Sequence, residues 1–226
     1  MAWLLVVDTC GEGGGVGVVS VDGDRAALVA SRVLPGRETQ ERLMEALDEV
    51  FAQAEISAAE LDAIAVVHGP GSFTGVRIGL AAAKGLAEAL GLRMIAVSRL
   101  ESLAWRWVVQ QNMREALEET VQAWLDAGRG DVFVGRYRGT ECLGEVMLPG
   151  TAAVAGVNDE PVVVMEERVA ALLPQAVVVP PVGVVEAMGP ALRKFIAGEF
   201  ADVALLDANY LRVPDAELAL RARQCA

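Results

Sequence analysis

The sequence predicts an α/β protein of two lobes, the second smaller and more degenerate than the first. Three observations predict it. Three β-rich runs at the N-terminus are separated only by short Gly/Asp turns. Buried-type strands then alternate with segments of helical period. After residue 110 the same signals recur in shorter, less regular pieces.

Trp3 to Thr9 is an apolar run ending in Asp8-Thr9, followed by the turn Gly11-Glu12-Gly13-Gly14-Gly15. Val16 to Val21 and Ala26 to Val33 follow, joined by Asp22-Gly23-Asp24. Turns this tight connect antiparallel neighbours, so the three runs read as a β-meander. From Thr39 to Ala54 the period is helical. Leu43, Leu47, Val50 and Phe51 share one face, while Glu41, Arg42, Glu45, Asp48 and Glu49 fall mostly opposite. Asp62 to Val67 is a buried-type strand, and the loop from His68 to Gly75 leads into a helix from Val76 to Leu90 that Gly91 ends. Met94 to Val97 is another strand, and Ser98 is placed to cap a helix from Arg99 to about Val109. The order β-β-β-α-β-α-β-α is that of the ribonuclease H-like core found in each half of actin, Hsp70 and sugar kinases.

In the second half, Asn112 to Glu119 is charged and helix-like. Val121 to Leu125, Val132 to Tyr137 and Glu145 to Leu148 read as strands, with Gly128-Arg129-Gly130-Asp131 as a turn. Pro161 to Met165 and Ala176 to Val179 are short strands around a helix from Glu166 to Leu173. The last helical signal runs from Val184 to Ala197, where Gly189-Pro190 predicts a kink or a restart. This places a boundary near residue 110 and gives lobes of 1–110 and 111–226, with no repeat visible in the sequence.

Hydrophobic residues are 54% of the chain and charged residues 22%, enough apolar surface for a packed core. A bilayer-spanning helix needs about 20 apolar residues. The longest uncharged stretch, Val169 to Val185, is interrupted by Pro174, Pro180 and Pro181. No basic region precedes the apolar start and Asp8 truncates it, so no export signal is read and a cytoplasmic location is expected. Cys10, Cys142 and Cys225 are an odd set without CxxC spacing, which argues against disulfides and zinc. The net charge of −12 repels a polyanion, so direct binding to nucleic acid is not expected.

The most specific segment is Gly69-Pro70-Gly71-Ser72-Phe73-Thr74-Gly75-Val76-Arg77-Ile78-Gly79, a strand-to-helix loop. Amides at a helix N-terminus can hold an anion; equally, Ser72 or Thr74 can cap the helix while the glycines make the turn. It is not a Walker A loop, because no Gly-Lys-Ser/Thr follows at the required spacing. Asp8 and Thr9 stand where actin-like ATPases begin their first phosphate hairpin, and an Asp there can position Mg²⁺ or water. No second phosphate loop is found in residues 111–226, and Val16 breaks any G-x-G-x-x-G match after Gly11. His68 is the single histidine, which leaves a His-based metal set unassembled; it reads as a surface residue or a loop hydrogen bonder, ahead of a catalytic base.

The segment from Gly69 to Gly79, with Ala83-Lys84-Gly85-Leu86-Ala87 after it, resembles the signature of the TsaB (YeaZ) family. Val7-Asp8-Thr9, Leu61 to Val66, Leu125 to Phe133 and Asn209-Tyr210-Leu211-Arg212 resemble further family segments in the same order. Departures are Cys10 where the family usually has Ser, Gly128-Arg129 in its hairpin, and Arg37 to Gln40, which lacks a His-Ser pair. The resemblance implies a non-catalytic partner subunit of the complex that forms N6-threonylcarbamoyladenosine at position 37 of tRNA. It implies pairing with a TsaD-type catalytic subunit, work with a TsaE-type ATPase, and tRNA contact only through the complex. A homodimer is a further expectation. ATP and Mg²⁺ would be used by the assembled complex and not bound by this chain alone. The first two helices would make the interface, with Leu43, Leu47, Phe73, Arg77, Leu80, Ala81 and Lys84 as its candidates. The alternative is an actin-like ATPase or small-molecule kinase using Asp8 and Thr9.

Overall fold

A computed structural model describes residues 1–211 apart from Glu12, Arg37, Glu38 and Asn112. The expectations for Arg212 and Cys225 lie outside the described residues.

Strand β1 (Ala2–Asp8) is buried from Leu4 onward and sits in the middle of the first sheet. It pairs antiparallel with β2 (Gly14–Asp22), which pairs antiparallel with β3 (Arg25–Leu34). Helix α1 (Thr39–Ala54) turns Leu43, Ala46, Leu47 and Val50 into the core. After a 3-10 turn at Ala58–Glu60, β4 (Ala63–Val67) enters parallel to β1 with all five side chains buried. Helix α2 (Phe73–Leu90) and β5 (Arg93–Val97), parallel to β4, complete the order β3-β2-β1-β4-β5. Gly91 ends α2 in the left-handed conformation (φ 66°), as its position predicted.

Helix α3 (Arg99–Gln110) begins at Ser98, whose hydroxyl accepts from the Leu100 amide while Glu101 reaches back to the Ser98 amide. A short α4 (Met113–Ala116) takes the place of the longer helix expected there. Then β6 (Thr120–Gly128), β7 (Asp131–Arg138) and β8 (Glu141–Pro149) form a second antiparallel meander. The hairpin at residues 128–131 uses positive φ at Gly128, Arg129 and Gly130. Helix α5 (Gly150–Ala155), absent from the sequence reading, precedes β9 (Val162–Val164). Helix α6 (Glu167–Ala170) is shorter than expected, β10 (Val177–Val178) follows, and α7 (Val184–Ala197) closes the described helices. Helix α7 runs through Gly189-Pro190 as one element rather than restarting.

The second sheet has the order β8-β7-β6-β9-β10, with β6–β9 and β9–β10 parallel. This repeats the first sheet strand for strand, so the duplication that the sequence hides is plain in the topology.

The expected division at residue 110 separates the sheets but not the packing units. Leu100, Leu103, Ala104, Trp107 and Val108 of α3 belong to the second sheet's core. Val184, Ala187 and Ala191 of α7 belong to the first sheet's core. Each unit sends its last helix to the other sheet, and the two exchanged helices pack on each other. Two ion pairs fasten that crossing: Lys194 Nζ to Glu101 Oε2 at 2.7 Å and Arg106 Nη1 to Glu186 Oε1 at 2.6 Å. A lobe is therefore a sheet with one borrowed helix, not a continuous half of the chain.

Candidate functional site

A cleft of about 1610 Å³ lies between the lobes. Its walls include Asp8, the Gly13–Gly15 turn, Arg99, Asp126, Glu166 and Glu186, and the N-terminal ends of α2 and α7.

The floor is the end of β1. Asp8 is 5% exposed, and its Oδ1 accepts from the Cys10 amide at 2.9 Å. Burial pushes its carboxyl above the ordinary range, against the opposing pull of that amide and of the Arg99 guanidinium. Thr9 is 2% exposed, and its hydroxyl donates to the Gly75 carbonyl at 2.6 Å. Of the two residues placed at a phosphate hairpin, only Asp8 remains on offer to the cleft, since the Thr9 hydroxyl is spent on α2.

The loop from Gly69 to Gly79 is explained by the same packing. The Ser72 amide donates to the Cys10 carbonyl at 2.9 Å. The Ser72 side chain accepts from the Gly75 amide at 3.3 Å, so Ser72 is the cap. A Cβ on Gly71 would overlap the Cys10 carbonyl, one on Gly75 the Thr9 carbonyl, and one on Gly79 the Thr9 hydroxyl. The glycines let α2 press against the end of β1, and the Ser72 and Gly75 amides are satisfied within the protein. Cys10, which departs from the usual Ser, donates its thiol to the Val67 carbonyl at 3.0 Å, a bond a hydroxyl would also make. Burial pushes that thiol well above its ordinary range.

His68 is half-buried, with Nδ1 3.1 Å from the Asp207 carbonyl. That contact makes Nδ1 the protonated nitrogen of a neutral ring, and burial lowers the imidazole pKa. Its ring bonds to the backbone of residue 207, far along the chain, and, among the described residues, no group of three or more His, Cys, Asp or Glu side chains is placed to hold a metal ion.

The interface candidates divide. Leu43, Leu47 and Leu80 are 3%, 2% and 6% exposed and face the sheet, so they are core residues and offer no docking surface. An apolar helix face looks the same in sequence whether it meets a sheet or a partner. Phe73, Arg77 and Ala81 are exposed on the outer side of α2. Arg77 lies over the Phe73 ring, 3.6 Å from its centroid, and its Nε donates to the Tyr210 hydroxyl at 2.7 Å. Lys84 donates to the carbonyls of Ala204 and Leu206 at 3.1 and 3.0 Å. Residues 200–211, which the sequence left without a role beyond Asn209 to Leu211, thus run as a strap along α2. Their backbone-to-side-chain anchoring has no period that a sequence could display.

Two ribonuclease H-like units facing each other across a cleft, with their last helices exchanged, define a two-lobed protein of the actin-like class. Comparison with known proteins narrows this. The family described as "TsaD: tRNA N6-adenosine threonylcarbamoyltransferase" matches residues 33–179. The protein named tRNA threonylcarbamoyladenosine biosynthesis protein TsaB from Escherichia coli is 34% identical over 138 residues, 61% of this chain and 56% of that protein. Its namesake from Bacillus subtilis is 37% identical over 108 residues, 48% of this chain and 44% of that protein. The chain spans about half the length of these curated relatives. The solved structure of YeaZ from Pseudomonas aeruginosa superposes with a TM-score of 0.76 at 26% identity, covering 93% of this chain and 100% of that one. The chain belongs to the TsaB (YeaZ) family. No helix among the described residues is long and apolar enough to cross a membrane.

Proposed function

We propose that the protein is an accessory subunit in the formation of threonylcarbamoyladenosine on tRNA, without an activity of its own. It pairs with a TsaD-type subunit, works with a TsaE-type ATPase, and meets tRNA only through that assembly, in the cytoplasm. The observation that carries the reading is the use of the signature loop. In a family whose curated members are named for threonylcarbamoyladenosine biosynthesis, the loop's glycines let α2 press on the end of β1, the Ser72 amide bonds the Cys10 carbonyl and the Ser72 hydroxyl caps the helix, which supports a structural use of the loop. The net charge of −12 favours leaving tRNA to a partner. ATP and Mg²⁺ enter with the complex. Asp8, the carboxylate at the end of β1, already accepts from the Cys10 amide beside the Arg99 guanidinium.

Reconstitution of tRNA modification from the purified components tests this. Modification should require the chain, and the chain alone should hydrolyse and transfer nothing. Undiminished modification without it would end the proposal. Titration with Mg-ATP in a calorimeter separates the ATPase alternative, which requires tight binding by the isolated chain that Asp8→Ala abolishes.

A further inference from the structure

The strap is held to the first lobe at nearly every turn. The Ala201 amide donates to the Met94 carbonyl at 2.8 Å, Lys84 holds the Ala204 and Leu206 carbonyls, and the Asn209 amide donates to the His68 carbonyl at 2.7 Å. Arg77 then holds Tyr210. Two side chains leave this pattern: Leu211 packs against the second lobe's core, and Asn209 makes a polar contact there. The Asn209 amide group crosses to Glu145 of β8, in the second lobe, and donates to its Oε2.

Among the described residues, Glu145 makes no ion pair with a basic side chain. Its other oxygen accepts from Tyr137, a neighbour on the same sheet, and from Ser98 at the junction of β5 and α3. The surrounding charges are accounted for. Lys194 is paired with Glu101, and Glu101 adds repulsion rather than compensation. His68 is a neutral ring and Cys142 is a thiol that burial and Glu145 together push up. The carboxylate therefore depends on its three donors, one from each structural part that meets there.

We propose that Glu145 is a latch coupling the strap to the cleft. Moving the second lobe away from the first draws Glu145 off Asn209, whose backbone stays with His68. The last residues of the strap then lose the side-chain hydrogen bond that ties them to the second lobe, beside the packing of Leu211 on its core. Opening of the cleft and loosening of the strap's last residues are one event.

Hydrogen exchange by mass spectrometry on the full chain tests this, with Glu145→Ala, Asn209→Ala and the double variant. Each single variant should speed exchange in peptides covering 200–211 by about tenfold, while peptides from β1 and β4 keep wild-type protection. The double variant should be no faster than Glu145→Ala alone, because Asn209→Ala removes a contact that Glu145→Ala has already removed. Small-angle scattering should show Glu145→Ala with a larger radius of gyration, the open cleft. Strap exchange at the wild-type rate, additive effects in the double variant, or a loosened strap with an unchanged radius each overturns the proposal. Asn209→Ala lies outside both cores, so its exchange result decides the case if Glu145→Ala does not fold.

Discussion

The hydroxyl of Thr9 donates to the carbonyl oxygen of Gly75 at 2.6 Å, tying the end of the first strand to the first turn of the second helix. That bond exists only because Gly71, Gly75 and Gly79 leave no side chain between the two elements. The family signature is in this sense a record of how closely a helix approaches a strand.

A sharp contrast between glycines of one helix follows. Gly75→Ala places a methyl group on the Thr9 carbonyl oxygen, which is backbone and has little room to retreat. It should cost about 2 kcal/mol or more, the scale of overpacking a tight core. Gly85→Ala meets nothing within 4 Å and replaces the poorest ordinary helix former with the best. It should stabilise by about 0.5–1 kcal/mol. Urea denaturation of the two variants checks this. Equal effects, or a stable Gly75→Ala, would remove the close-approach explanation of the signature.

How far the molecule could be read beforehand follows from which signals are local. The first sheet was legible because its strands are apolar runs punctuated by Gly and Asp, and because Ser72, Gly91 and Ser98 sit where helix ends need them. The second sheet was legible only in part. Strand β8 is exposed along much of its length and β10 has two exposed residues, so neither shows a buried face. The exchange of α3 and α7 was not legible, since an amphipathic face states that it is covered and not by what. For the same reason Leu43, Leu47 and Leu80 were read as a partner surface when they face their own sheet. Glu145 gave no sign of its role, because a single acid in a strand-like run has no spacing that marks it.

The crossing of the exchanged helices should depend on Gly189. A Cβ there would overlap the Trp105 indole of α3, whose ring also has Arg193 5.7 Å from its centroid. Gly189→Ala should lower stability by about 2–3 kcal/mol, with Trp105→Leu in the same chain recovering much of it. A double-mutant cycle reads the coupling directly. Additive effects would show that the two residues do not meet.

The ion pair in the same crossing makes a second demand. The Glu101 side chain is 3% exposed, its Oε1 has no hydrogen-bond partner, and Lys194 is its basic partner. Lys194→Met leaves that carboxylate uncompensated and should cost about 3 kcal/mol. Adding Glu101→Gln removes the stranded charge and should return part of the loss. If Lys194→Met is neutral, the pair adds nothing to the joint between lobes.

Asp8 yields a prediction in pH. Burial raises its native pKa above the ordinary 3.8, with Cys10 and Arg99 opposing and Glu186 adding to the rise. A group whose folded pKa is raised contributes stability that is fully present below its unfolded pKa and is lost as pH rises through the folded value. Asp8→Asn keeps an oxygen to accept from the Cys10 amide and does not titrate. The stability of the wild type relative to Asp8→Asn should therefore be greatest near pH 4 and decline toward pH 7. The slope cannot exceed about 1.4 kcal/mol per pH unit for one proton. Urea midpoints of both proteins at several pH values between these limits provide the measurement. A flat difference, or one that grows with pH, would mean that Arg99 and the Cys10 amide outweigh burial, and that Asp8 stands in the cleft as a low-pKa carboxylate.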